Sequence, residues 1–78
     1  MPNRAEEVQH LALADEHVLR GERSVEDLVA LIAANTGRGA DTAQASVLLA
    51  TVQQTLAQFR QHREHIAQTI RDLDAGLI

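Results

Sequence analysis

An all-α fold, an antiparallel hairpin of two long helices, is what the sequence predicts, and three observations predict it. Apolar residues recur in alternating steps of three and four along both halves of the chain, the spacing that lines one seam of an α-helix. One cluster of turn residues, Asn35-Thr36-Gly37-Arg38-Gly39-Ala40, separates the halves. Thirteen alanines, against one phenylalanine and no tyrosine or tryptophan, favour helix over sheet.

The first helix is expected over 3–35. Asn3 and Glu6 have capping-box spacing, and Glu6 and Glu7 bring negative charge to the positive end of the helix dipole. The seam runs Leu11, Ala14, Val18, Gly21, Val25, Leu28, Ile32. Gly21 leaves two readings open. Either one continuous helix passes through it, at a cost of about 1 kcal/mol relative to alanine, or the chain breaks over 21–24 and Ser24-Val25-Glu26-Asp27 caps a fresh helix. The seam keeps its phase through Gly21, which favours the continuous helix.

Gly37 suits the left-handed position that follows a helix C-terminus. Asp41 as N-cap, with Gln44 reaching back, then starts a second helix expected over 41–74. Its seam reads Ala45, Leu49, Val52, Leu56, Phe59, Arg63, Ile66, Ile70, Leu73, Leu77, and only Arg63 interrupts it. Gly76 precedes a loose end.

A connection this short makes the helices antiparallel neighbours, so the numbers of facing residues add to a constant. A sum of 77 sets Ile32 against Ala45, Leu28 against Leu49, Val25 against Val52, Gly21 against Leu56, Val18 against Phe59, Ala14 against Arg63 and Leu11 against Ile66. In this register Gly21 makes room for the bulkiest part of the opposite seam. Arg63 packs its stem on Ala14 and reaches Asp15 or a partner chain with its guanidinium.

One hairpin shields only a stripe of each helix, and a chain of 78 residues without cysteine has no disulfide to add. Further apolar residues lie off the seam at Val8, Leu13, Leu19, Val29, Leu31, Leu48, Ala50, Ala57 and Ile78. They widen the apolar face towards what a four-helix bundle requires, so a homodimer of hairpins is expected. The net charge of −4, with scattered arginines and no lysine, argues against nucleic acid and anionic membrane as partners. No apolar run approaches the ~20 residues that span a bilayer, and a cytoplasmic location is expected.

Four histidines are the candidate site residues. His10, His17 and His62 fall on the flank that also carries Leu31 and Leu48, with His65 one turn beyond His62. Imidazoles converging there could hold zinc or nickel, with Gln58 or a symmetry-related histidine completing the shell. Glu7 and His10 have the Glu-x-x-His spacing of carboxylate-bridged metal bundles, but helix 2 offers only Glu64, off its seam. Alternatively the histidines are half-exposed boundary residues, or make an interface sensitive to pH. The acids from Glu6 to Asp27 read as a solvated face and the serines lack a base, so no enzyme and no cofactor is expected.

Several of these segments together, His17 to Arg23 with Gly21-Glu22-Arg23, Gly39-Ala40-Asp41-Thr42 leading into Leu48-Leu49, and Leu56 followed by His62-Arg63, resemble a group of short, uncharacterised bacterial helical-hairpin proteins. The resemblance covers roughly residues 10–66 and implies a helical hairpin, with no particular activity. The chain departs from the group at Ser24-Val25-Glu26-Asp27, where more basic, glutamine-rich sequence is expected. The function expected is a non-enzymatic, self-associating protein-protein interaction module, with another protein as a further partner. The alternative is a metal-binding bundle using His10, His17, His62 and His65.

Overall fold

The computed structural model describes residues 1–78 as two helices and no strand. Helix α1 spans Arg4–Gly37 and α2 spans Ala43–Asp74, and together they form a rod of 58 × 15 × 14 Å. The expected 3–35 and 41–74 are thus met to within two residues.

Asn3 caps α1: its side-chain oxygen accepts from the amides of Ala5 at 2.9 Å and Glu6 at 3.3 Å, with Glu6 and Glu7 in the first turn. The helix then passes through Gly21 without a break. A methyl group built at Gly21 would lie 2.9 Å from Leu56 Cδ1 and 3.5 Å from Leu56 Cβ. The missing side chain is therefore space for Leu56, and close packing repays the helical cost of glycine.

The turn differs from expectation in one residue's role. Gly37 is the last residue of α1, and Gly39, at φ +71°, takes the left-handed position. The Gly39 amide donates to Thr36 O at 3.0 Å and the Ala40 amide to Asn35 O at 2.9 Å, the paired bonds of a Schellman closure. A chain leaving α1 from Gly37 would forgo those bonds, so the helix runs two residues longer. The same closure ends α2, with Gly76 at φ +74°, Gly76 N–H to Leu73 O and Leu77 N–H to Asp72 O. Leu77 consequently lies beyond the helix and is 71% exposed, so the seam stops at Leu73.

At the start of α2 the N-cap position falls on Thr42, whose side chain makes no capping bond. The Asp41 carboxylate does that work from one residue earlier, accepting from the Ala43 amide at 2.9 Å. Gln44 makes no return bond.

Ala14, Val18, Leu56 and Ile66 are the buried residues, and the remaining seam positions from Leu11 to Ile32 and from Ala45 to Leu73 are half-buried. Two ion pairs fix the register, both in the half of the rod away from the turn. Arg63 Nε stands 3.8 Å from Asp15, as the sum of 77 requires within one residue. Arg4 grips Asp74 with two bonds, Nε to Oδ1 at 2.6 Å and Nη2 to Oδ2 at 3.3 Å, tying the start of α1 to the end of α2. The hydrogen bond from Arg4 holds the Asp74 carboxyl below the usual carboxylate range. Both partners are well exposed, so the clasp defines alignment more than it adds stability.

Candidate functional site

The antiparallel register creates two long flanks where α1 and α2 meet, and they differ in charge. Taking every seventh residue beside the seam, one flank presents His10, His17, Ser24 and Leu31 from α1, and Leu48, Thr55, His62 and Thr69 from α2. No acid and no arginine occupies any of these positions. The other flank presents Val8, Asp15, Glu22 and Val29 against Ser46, Gln53, Arg60, Ala67 and Asp74. It holds both inter-helix ion pairs.

All the surface concavity of the rod lies on the uncharged flank. A depression of about 320 Å³ sits at mid-length beside Gly21, walled by Val52, Leu56 and Phe59 and edged by His17, Arg20, Ser24 and Thr55. It exists because Gly21 has no side chain to fill the step between Val52 and Phe59. A smaller one of about 90 Å³ is lined by His10, Leu13, Ala14, His17 and His62. A third, of about 430 Å³, lies near the chain ends between Glu7, His10, His62, His65 and Thr69.

The structure therefore places the four sequence-predicted histidines along one flank, in two overlapping groups. His10 and His62 belong to both, His17 to the inner group and His65 to the outer one. His17 lies against Phe59, ring centroids 5.3 Å apart and planes inclined by 34°, so its ring serves as packing surface. His10 Nδ1 stands 3.5 Å from a Glu7 carboxylate oxygen whose side chain is largely covered. No three histidine or carboxylate side chains are grouped so as to hold a metal ion. What the histidines share is a face; they do not form a coordination shell.

Sequence reasoning singled out the histidines, Leu31 and Leu48 on this flank and named Leu13 only as an off-seam apolar residue, but passed over Ser24 and Thr55, which line it equally. The available signal was negative: a run of positions every seven residues from which charge is missing. Leu13, Leu31 and Leu48 are each about half exposed. Neither helix is long and apolar enough to cross a membrane. Comparison of the chain with protein-family models, with curated proteins and with solved structures finds no match in any of the three.

Proposed function

We propose that this chain is a non-enzymatic interaction module that works by self-association, two hairpins packing into a four-helix bundle that can in turn engage another protein, in the cytoplasm. The observation that carries the reading is the area left uncovered. The hairpin exposes 5592 Å² for its 8.5 kDa, about 900 Å² more than the roughly 4,700 Å² of a compact folded monomer of that mass. Four buried residues out of 78 are a thin core, since fully burying one large aliphatic side chain contributes only about 1.5–3 kcal/mol. An uncovered surface of that size supports a second copy as its partner. The resemblance over residues 10–66 agrees with a hairpin and adds no activity.

The test is sedimentation equilibrium together with thermal melts over a hundredfold range of concentration. Coupling of folding to dimerisation should raise the melting temperature by several degrees over that range, because a hundredfold excess of partner is worth about 2.7 kcal/mol. A cooperative melt independent of concentration, with a monomeric mass throughout, would overturn the proposal.

A further inference from the structure

We infer that the contact between two copies is the uncharged flank, centred on the depression beside Gly21 and flanked by Leu13, Leu31 and Leu48. The inference rests on the self-association reading and goes further by naming the face.

Two features select it, and a third, the area, fits a contact on a single flank. The first is charge. Interface cores are depleted in acids and in lysine but not in arginine; the positions beside the seam on this flank hold no acid, and the charges that reach its depressions are Arg20 and Glu7, whereas the opposite flank carries Asp15, Glu22 and Asp74. A contact laid on the opposite flank would have to take Asp15, Glu22 and Asp74 out of water with Arg60 as the one cation at the positions beside the seam, and burying charge is costly unless every ion is paired. The second is shape. The concavities all open on this side, and the central one is walled by Val52, Leu56 and Phe59. A self-complementary contact could seat exposed leucines such as Leu13 of one copy in the groove of the other. The third is area. The excess surface of about 900 Å² matches the ~800 Å² that each partner contributes to a standard interface. One flank of a 58 Å rod, and not both, is what a dimer of that size needs.

Leu31 and Val29 give a matched test: both are on α1, two residues apart, and 48% and 51% exposed, but they stand on opposite flanks. Leu31→Glu should weaken the dimer at least tenfold by sedimentation equilibrium, and Val29→Glu should change it less than threefold. Because a weakened dimer can also lose helix, a second measurement avoids disruptive changes. The chain has no cysteine, so Ser24→Cys and Glu26→Cys each introduce a unique thiol. Alkylation of the thiol at 24 should slow at least tenfold between dilute and concentrated protein, while the thiol at 26 reacts equally in both. A wild-type dimer in which Val29→Glu is the disruptive change, or in which the thiol at 24 is never protected, overturns the face and leaves self-association standing. A wild-type chain that stays monomeric at every concentration overturns both.

Discussion

Leu56→Ala is expected to destabilise the hairpin by about 2–5 kcal/mol, the range for removing a buried leucine and leaving a cavity. Leu56 is 4% exposed and faces a glycine, so nothing on α1 can collapse into the space its side chain leaves. A domain of this size has only about 4–12 kcal/mol of stability in all. Urea denaturation followed by circular dichroism should show the loss as a lower midpoint. The facing residue makes the prediction more specific. In the wild-type background Gly21→Ala would gain up to about 1 kcal/mol of helix propensity, but its methyl group meets Leu56 Cδ1 at 2.9 Å and forces that side chain aside. With Leu56 already cut to alanine, the same change has room and should deliver its full gain. A double-mutant cycle over these positions should therefore show coupling, with Gly21→Ala more stabilising in the Leu56→Ala background. Strict additivity would mean that the two residues do not touch.

Val18→Asp is expected to abolish cooperative folding at neutral pH. Val18 is the most deeply buried side chain, at 1% exposure, and it faces the apolar seam of α2. An ion placed there costs several kcal/mol after relaxation. Burial disfavours the charged form, so the new carboxyl would titrate above its unfolded value of about 3.9 in any folded state. The sign follows: folding is least impaired below that value and is lost as pH rises through the raised one. Arg4 holds the Asp74 carboxyl below the usual carboxylate range, so that ion pair outlasts an ordinary carboxylate's as pH falls. The helical signal at 222 nm should accordingly recover in part between pH 7 and about pH 4, whereas Val18→Asn, which cannot ionise, should show no such recovery. Wild-type stability of Val18→Asp at pH 7 would place position 18 outside the core.

The seams were legible because each helix buries one stripe at a fixed period, and every predicted seam residue from Leu11 to Ile32 and from Ala45 to Leu73 is buried or half-buried. Phase continuity through Gly21 decided correctly for one helix, since a turn would have rotated the stripe. The register offered Arg63 either Asp15 or a partner chain, and the structure sets it beside Asp15. The Arg4 clasp on Asp74 fits the same register, but it joins two exposed ends that no apolar pattern marks. What sequence could not separate was which glycine of the turn takes the left-handed position. Gly37 and Gly39 are equivalent by composition, and only the two Schellman hydrogen bonds distinguish them. Leu77 kept the period but lies past the point where Gly76 turns the chain, so periodicity outlasted the helix. For the flank, the histidines drew notice as chemistry, whereas the structure aligns them with serine, threonine and leucine as one uncharged surface.

The central claim is the register that puts position 21 against position 56. A disulfide between Gly21→Cys and Leu56→Cys tests it most directly, because a Cβ at 21 lies 3.5 Å from that of Leu56, at the edge of the ~3.5–4.5 Å a disulfide requires. Oxidised at high dilution, this variant should close an intramolecular bridge nearly completely. Gly21→Cys with Arg63→Cys, displaced by about 10 Å along the helix, should not. Bridging in the displaced pair and not in the first would contradict the account.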